Sequence, residues 1–264
     1  MHATSTGVIP FAARTPPRPT PMQDLLRVLG ASEAPATAEP ATPLLQLRVP
    51  AGGTLVHEGA RVEFVHVVRS GSFKCVRVLE DGYEQVLNFA DRGDVLGFDG
   101  LCRGVQLTSA VALEDSTVYA LPLRELAALR TQSAALDAAL QLALSRQLAS
   151  AARTTEMMAA VASETRLARF LVWFSDRMAE RGESPRRLRL RMSRRDIASL
   201  LGVAHETVSR SFTVLARAGL LRVDNREVEI VDAAGLRACT RSTRGHGDEI
   251  AARTPRAGAE AIAA

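Results

Sequence analysis

The chain has 264 residues, enough for about two domains, and its 47% hydrophobic, 23% charged and 4% aromatic residues are typical of a globular protein. Collagen, coiled-coil and wholly disordered chains are therefore excluded. No stretch reaches about 18 uncharged apolar residues and no signal peptide is recognisable, so we expect no membrane association and a cytoplasmic location. Cys75, Cys102 and Cys239 are too few and too widely spaced for a disulfide framework or a CxxC metal site.

Positive charge is concentrated in one part of the chain. The net charge is +4, and all basic residues except Lys74 are arginines. Residues 181–217 contain nine arginines and three acidic residues, whereas residues 44–122 contain seven basic and ten acidic residues. A basic segment beside an acidic domain indicates a polyanion-binding region, most commonly for nucleic acid, although a solvated basic face would give the same pattern.

The N-terminal half predicts an arm followed by a β domain. Residues 1–43 contain eight of the twelve prolines and predict a disordered arm, interrupted by a short helix at Met22–Leu29. Residues 44–122 contain short apolar runs separated by glycines, at a spacing of roughly 8 to 12 residues that predicts an antiparallel barrel or roll able to form a pocket. The candidate strands are Phe64–Arg69, Ser72–Leu79, Glu84–Phe89, Thr108–Leu113 and Ser116–Leu121.

Residues 123–160 are predicted to be helical, with one long helix from about residue 134 to 160. Its apolar stripe, at steps of three and four residues, comprises Leu136, Leu140, Leu144, Leu148, Ala151 and Met158. Either the β domain covers this stripe, or the same helix of a second subunit does, which would make the protein a symmetric dimer.

The C-terminal region, residues 161–237, is predicted to consist of short helices and a hairpin. Ser163 is expected to cap a helix that continues to Met178. The Arg-, Ala- and Gly-rich tail is expected to be mobile from about Ala233, and residues 238–264 to be a flexible tail.

The sequence SRRDIASLLGVAHETVSRSFT, residues 193–213, has the spacing of a helix-turn-helix. Ser193 and Asp196 form a capping pair, Ala198 is small where a second helix crosses, and Gly202 suits the turn between the helices. Apolar alternation on both sides of residues 224–226 adds a small hairpin, which predicts a winged helix-turn-helix. The alternative is a helical hairpin in the core of an unrelated protein.

The second helix of this motif carries the candidate base-reading side chains. The residues on the side opposite Val208 and Phe212 are His205, Glu206, Ser209 and Arg210. Arg210 has the donors to bind guanine in a bidentate manner, and Glu206 can accept a hydrogen bond from cytosine. The expected contacts to backbone phosphates, which give affinity without sequence information, are Ser193, Arg194, Arg195 and Thr207.

These motifs resemble the Crp/Fnr superfamily of bacterial transcription regulators, and within it the fumarate and nitrate reduction regulator type. The resemblance covers about residues 44–232 and rests on VRSGSFKCVRVLEDGYEQVLNF (68–89), GDVLGFDG (93–100), ERGESPRRLRLRMSRRDIASLLGV (180–203) and HETVSR (205–210). It implies an α+β fold: an N-terminal antiparallel β-roll sensor domain like a cyclic nucleotide-binding domain, a long dimerisation helix and a C-terminal winged helix-turn-helix.

The resemblance also implies a function. The chain is expected to be a homodimeric regulator without enzymatic activity that reads TTGAT-like half-sites on double-stranded DNA through Glu206, Ser209 and Arg210. The two recognition helices would lie about 34 Å apart, one turn of the duplex. As an activator, the protein would contact RNA polymerase through an exposed turn formed by Leu79, Asp81, Gly82 and Tyr83.

Several positions depart from the family pattern and predict that the chain has no cofactor. The N-terminal segment contains no cysteine, and Tyr119 stands at the remaining ligand position of the iron-sulfur cluster. Phe98 and Thr108-Ser109 replace the acidic residue and the Arg-Ser pair that bind cyclic AMP. The signal is therefore unidentified or lost.

Three alternatives remain at this stage. The first is a cyclic-nucleotide- or haem-binding sensor that acts through the β-roll, with His57 and His66 as candidate ligands. The second is a thiol switch at Cys102. The third, a cupin-like enzyme, lacks the metal-binding histidines that such a barrel needs.

The recognition helix itself departs from the family at two positions. Ala204 replaces the usual Ser or Thr cap, and Ser211 replaces an apolar residue.

Overall fold

The computed structural model describes residues 22–31 and 44–241, which form two compact units divided between residues 152 and 153. The first unit contains α1 (Met22–Leu29), β1 (Leu45–Val49), β2 (Thr54–Val56), β3 (Phe64–Ser70), β4 (Phe73–Val78), β5 (Glu84–Ala90), β6 (Val95–Leu96), β7 (Ser109–Ala112), β8 (Ser116–Pro122) and α2 (Leu123–Gln132). Helix α3 (Ala134–Ala159) crosses the division. The second unit contains α4 (Ser163–Glu180), β9 (Arg187–Arg189), α5 (Arg194–Leu201), α6 (His205–Arg217), β10 (Leu221–Asp224), β11 (Glu227–Ile230) and α7 (Ala233–Cys239).

Two four-stranded antiparallel sheets form the β-roll. Their strand orders are β1-β8-β3-β6 and β2-β7-β4-β5, and the inner core between them includes Val68, Phe73, Leu96 and Val118. Each predicted strand is present with its ends within one residue of the predicted ones, which confirms the antiparallel β-roll. Strands β1, β2 and β6 were not predicted. The last two are only three and two residues long, too short for an alternation of apolar residues to be recognised.

Helix α1 belongs to the core of the first unit. It is present at the predicted bounds, and its side chains Leu25 and Leu29 are fully buried against the outer face of the β1-β8-β3-β6 sheet and helices α2 and α3. The prediction that residues 1–43 form a disordered arm is therefore wrong for residues 22–31. The sequence predicted the helix itself but not its packing into the core. The other residues of that arm, 1–21 and 32–43, lie outside the described ranges.

A polar triad fixes α1 to the roll. The Arg69 guanidinium donates to the Tyr119 hydroxyl at 2.8 Å and to the Asp24 carboxylate at 3.2 Å, and the Tyr119 hydroxyl also donates to Asp24. These hydrogen bonds, that from Tyr119 first, hold the pKa of Asp24 below its usual value of 3.8, while burial raises the pKa of Tyr119 to about 12. At the other end of α1, Arg146 of α3 donates to the carbonyl of Leu29 at 2.9 Å.

The predicted helical segment 123–160 is two helices, because the backbone is extended at Ser133. The Ser133 hydroxyl then accepts a hydrogen bond from the Leu136 amide, which caps α3. Leu136 and Leu140 are fully buried in the core shared with α1 and the sheet, so neither side chain can meet a second subunit. Their assignment to a dimer seam is wrong. The other members of the predicted stripe are exposed, namely Leu144, Leu148, Ala151 and Met158.

The second unit extends further than the sequence predicted. Residues 233–239, expected to begin a mobile tail, form α7, whose Leu236 is fully buried. The Asp232 carboxylate caps this helix by accepting from the amide of Gly235 at 2.8 Å. Seven residues with few large apolar side chains give too weak a periodic signal for sequence analysis. Residues 242–264 lie outside the described part of the chain.

Replacing Asp24 by Asn should weaken the docking of α1. The loss of the charged hydrogen bonds is expected to lower the free energy of local opening of residues 22–29 by about 1–2 kcal/mol at pH 7, as measured by amide hydrogen exchange. Because the pKa of Asp24 is lowered on folding, its stabilisation is present above pH 4 and is lost as the pH falls through the lowered pKa. The difference between the variant and the wild type should therefore shrink as the pH falls through the lowered pKa of Asp24. Glu80→Gln is the control, and equal protection of α1 in Asp24→Asn and wild type at pH 7 would contradict the assignment.

Candidate nucleic-acid interface

The first helix of the motif, α5, begins with a reciprocal cap. The Ser193 hydroxyl accepts from the amide of Asp196 at 3.1 Å and donates to its carboxylate at 2.6 Å, and the Asp196 carboxylate also accepts from the amide of Ser193 at 2.8 Å. Two amides at the helix start, those of Ser193 and Asp196, are thereby satisfied. The predicted capping pair is confirmed, and a contact of Ser193 with DNA phosphate stays a prediction.

The turn between α5 and α6 depends on Gly202. This residue has φ 63° and ψ 42°, the left-handed conformation that a side chain disfavours. The Arg166 guanidinium of α4 donates to the carbonyl of Leu201 at 2.8 Å and thus satisfies the end of α5. The angle between the two helices is therefore fixed by a backbone conformation and by a cationic cap.

Helix α6 has one buried face and one exposed face. Val208, Phe212 and Leu215 pack into the unit. The opposite face exposes all four predicted base-reading residues, His205, Glu206, Ser209 and Arg210. It also exposes two residues that sequence analysis did not single out, Thr213 and Arg217, which continue the same face at helical spacing.

The polar side chains on the exposed face differ in how far they are already engaged. Within the described residues the Arg210 guanidinium has no hydrogen-bond or ion-pair partner, so all its donors are available. The Glu206 carboxylate lies 3.2 Å from Nδ1 of His205, and the Ser209 hydroxyl donates to the carbonyl of His205 at 3.2 Å. A cation and an acceptor on one exposed helix face have the chemistry needed to read guanine and cytosine edges.

Buried Ser211 is explained by a partner on α4. Its hydroxyl lies 3.0 Å from that of Ser163, so the polar group that replaces an expected apolar residue is hydrogen-bonded. Ser163 was predicted to cap α4. That prediction is wrong, because the N-cap is Ala162, without a side-chain hydrogen bond, and Ser163 is the first residue of the helix.

The predicted wing is a three-stranded antiparallel sheet in the order β10-β11-β9. Its turn contains Asn225, a non-glycine residue with φ 50°, a conformation that Asn tolerates better than most residues. Both turn carbonyls are satisfied: that of Asn225 accepts from Arg194 at 3.0 Å, and that of Arg226 accepts from the amide of Leu190 at 2.9 Å. Strand β9 was missed because its sequence, Arg-Leu-Arg, resembles a basic loop.

The residues predicted to contact phosphates are placed differently from one another. Arg195 is exposed and has no partner in the described ranges, whereas Thr207 is half-buried in the first turn of α6. Arg194 is directed into the protein, with its Cζ atom 3.4 Å from the centroid of the Phe212 ring. Burial lowers the pKa of Arg194 to about 10.

The first unit exposes the turn predicted to contact another protein. The amide of Leu79 donates to the carbonyl of Tyr83, and Gly82 closes the turn with φ 81°. The side chains of Leu79 and Tyr83 are 44% and 47% exposed, and Asp81 accepts from the amide of Tyr83 at 3.0 Å. The turn therefore presents two large apolar side chains to solvent in a fixed geometry.

The roll residues considered for effector binding are engaged within the protein. Phe98 packs against the core shared by α1, α2 and α3. The Ser109 hydroxyl accepts from the amide of Glu58 at 2.9 Å. Cys102 is exposed, with its Sγ 3.4 Å from the carbonyl of Asp99, and His66 is buried in β3.

Comparisons with known proteins identify the family. Residues 46–133 match the cyclic nucleotide-binding domain, and residues 165–239 match the Crp-like helix-turn-helix domain. The transcriptional regulatory protein btr of Bordetella pertussis is 37% identical over 192 residues, which cover 73% of this chain and 79% of that protein. The fumarate and nitrate reduction regulatory protein of Salmonella typhimurium is 33% identical over 193 residues, 73% of this chain and 77% of that protein. The chain belongs to the Crp/Fnr family of transcription regulators.

Solved structures support the fold of this Crp/Fnr regulator. FixK2 from Bradyrhizobium japonicum superposes with a TM-score of 0.67 at 24% identity, over 76% of this chain and 99% of that one. TTHA1359, a Crp/Fnr-family regulator from Thermus thermophilus, superposes with a TM-score of 0.59 at 23% identity, over 75% and 99% of the two chains. The α+β fold of β-roll, long helix and helix-turn-helix is thus confirmed. The helices in the described ranges lack the continuous apolar length that a bilayer crossing requires.

Replacing Ala204 by Ser should stabilise the recognition helix of this Crp/Fnr regulator. Ala204 is the N-cap of α6, with φ −67° and ψ 149°, and its methyl group accepts no hydrogen bond. A serine hydroxyl there is expected to raise the free energy of unfolding of the second unit by about 1 kcal/mol. Urea unfolding followed by the fluorescence of Trp173, the single tryptophan, measures this change. Ala204→Val, which adds no acceptor, is the control, and an equal midpoint for the Ser and Val variants would refute the explanation.

Proposed function

We propose that this Crp/Fnr regulator binds, as a homodimer, to a DNA palindrome with TTGAT-like half-sites. The observation that carries the proposal is the exposed face of α6, where Arg210 has no partner in the described residues and lies beside Glu206 and Ser209. Each subunit inserts α6 into the major groove, with Arg210 donating to guanine and Glu206 accepting from cytosine. His205 adds a further polar contact, and Arg195 and Thr207 contact phosphates at the start of the two helices.

The exposed apolar residues of α3 support a dimer. Leu148 is 74% exposed and Leu144 is 39% exposed, and they are followed on the helix by exposed Ala151 and Met158. Their spacing of four, three and seven residues is that of an apolar seam between two helices. Leaving such a stripe in water is costly, and pairing it with its own copy removes it from solvent.

We further propose that the β-roll works without cyclic AMP and without an iron-sulfur cluster. A cyclic nucleotide needs a carboxylate for its ribose and a cation for its phosphate, and the corresponding positions hold Phe98, packed against the core, and Thr108. The neighbouring Ser109 hydroxyl is bonded to the Glu58 amide. The position of the remaining cluster ligand holds Tyr119, whose hydroxyl is bonded to Asp24 and Arg69. These residues do not fit either group.

The turn at Leu79–Tyr83 is the proposed contact with RNA polymerase. It offers Leu79 and Tyr83 as apolar anchors, Asp81 as a charge and Gly82 as the residue that fixes the turn. Aromatic and aliphatic anchors on a rigid turn are typical of protein contacts.

Titration of duplexes with the purified protein tests the DNA proposal. The duplexes carry TTGAT and ATCAA separated by four base pairs, the same site with one half-site scrambled, or a fully scrambled site, at physiological salt. Fluorescence anisotropy should give binding to the palindrome at least about 10³-fold tighter than to the scrambled duplex, and sedimentation should give two chains per duplex. Equal binding to all three duplexes would overturn the proposed half-site.

Arg210→Ala should cost about 1–3 kcal/mol on the palindrome and relax the preference for one base pair, because a bidentate contact with guanine is lost. Binding to the scrambled duplex should change little. Arg195→Ala is the matched control and should weaken binding to both duplexes alike. Equal losses on both duplexes for Arg210→Ala would remove Arg210 from the base-reading set.

Tyr83→Ala should reduce transcription without reducing DNA affinity. The measurement is in vitro transcription by a bacterial RNA polymerase from a promoter that carries the TTGAT-like palindrome, with the anisotropy titration run in parallel. The expected loss is about fivefold or more, since truncating one aromatic anchor typically costs more than about 1 kcal/mol. Leu101→Ala, at another exposed apolar residue of the roll, is the control. Unchanged transcription by the Tyr83 variant would exclude this turn as the contact.

A further inference from the structure

We infer that Arg194 is a positioning residue that fixes the recognition helix and the wing to each other, and that it does not serve as a phosphate contact. This inference rests on the proposed DNA-binding function and changes the role that the sequence suggested for Arg194. Arg194 would thereby affect sequence discrimination, although its side chain lies on the opposite side of α6 from the base-reading residues.

The first observation is the contact with α6. The Arg194 guanidinium lies over the face of the Phe212 ring, 3.4 Å from its centroid, which is a close cation–π stacking distance. Phe212 is only 4% exposed and lies on the buried face of α6. A shift or rotation of α6 would break this contact, so Arg194 of α5 restrains the helix that carries Arg210.

The second observation is the contact with the wing. The Nη2 atom of Arg194 donates to the carbonyl of Asn225 at 3.0 Å. Asn225 is the residue of the wing turn with φ 50°, so the hydrogen bond holds the turn at its least favourable backbone conformation. One guanidinium therefore joins three elements: α5, which carries it, α6 through the ring, and the β10–β11 turn through the carbonyl.

The third observation is the partial burial of this charge. Burial lowers the pKa of Arg194 to about 10, although the group stays protonated at neutral pH. Its neighbour Arg195 is exposed and has no partner within the described ranges. The ring and the carbonyl hold the half-buried Arg194 side chain in place, and one of its five donors is already used, whereas Arg195 presents its whole charge to solvent.

Salt dependence distinguishes the two roles. Each phosphate neutralised adds about −0.9 to the slope of log K against log salt, and a dimer makes every contact twice. We compare wild type, Arg194→Ala and Arg195→Ala on the palindrome and on the scrambled duplex over a range of salt concentrations. Arg195→Ala should reduce the slope by about 2 and leave the ratio of the two affinities unchanged. Arg194→Ala should leave the slope unchanged and lower that ratio at least about tenfold, since α6 is no longer held in position.

Phe212→Leu provides an independent variant. It retains Arg194 and most of the apolar volume but removes the aromatic face, and it should reproduce the loss of discrimination with an unchanged salt slope. Arg194→Lys keeps the charge but not the planar fork, so it should restore little of the discrimination. The inference is overturned if Arg194→Ala reduces the salt slope at a constant affinity ratio, or if Phe212→Leu discriminates as well as wild type.

A measurement without DNA separates this inference from the proposed function. Amide hydrogen exchange of residues 221–230 should become faster in Arg194→Ala and in Phe212→Leu, and remain unchanged in Arg195→Ala. If wild type fails to discriminate between the duplexes, the proposed half-site is wrong, and exchange in the wing still decides the role of Arg194. Unchanged exchange in both Arg194→Ala and Phe212→Leu would overturn the inference.

Discussion

Guanidinium groups that donate to backbone carbonyls hold the ends of the helices and the wing turn in place, and the geometry of both units depends on them. The last carbonyls of a helix lack partners within the helix, and a cation there also meets the negative end of the helix dipole. Arginine suits this task because it has five donors and is more weakly hydrated than lysine. The residues that act in this way are Arg146 on the end of α1, Arg166 on the end of α5, Arg169 on the carbonyl of Thr240 after α7, and Arg194 on the wing turn.

Some of the arginines that make residues 181–217 basic have this structural role instead of binding DNA. The excess of arginines at residues 181–217 indicated a polyanion-binding region, but not all of these charges are free to bind one. Arg189 pairs with Glu227, Arg181 pairs with Glu183, and Arg194 lies half-buried over a ring. The positive charge available to DNA is therefore smaller than the sum over residues 181–217, and it includes Arg195 and Arg210. The local charge indicated a polyanion partner, and the contacts then distinguish the arginines that are available to bind it from those that stabilise the protein.

The helix-turn-helix was predictable because its constraints are local. Ser193 and Asp196 are three residues apart and Gly202 must turn the chain, so the spacing alone specifies the capping box and the left-handed turn. Contacts between distant residues left no such signal. The stripe from Leu136 to Met158 divides into a buried part and an exposed part because α1 covers only its first turns. The Ser163–Ser211 pair joins positions 48 residues apart, and the ring beneath Arg194 is equally invisible to periodicity.

The close approach of α1 to the roll couples residue 93 to residue 28. A side chain at residue 93 would place its Cβ only 2.9 Å from the carbonyl oxygen of Val28, and Gly93 also has φ 88°. Glycine at this position therefore satisfies the turn and leaves room for the helix at once. In a chain without α1, a Cβ at residue 93 would no longer clash with Val28. The apolar sheet face under Leu25 and Leu29 would then be exposed, and it would require polar substitutions or another packed element. Removal of the N-terminal helix would thus have to be accompanied by substitutions at several residues that are distant from it in the sequence.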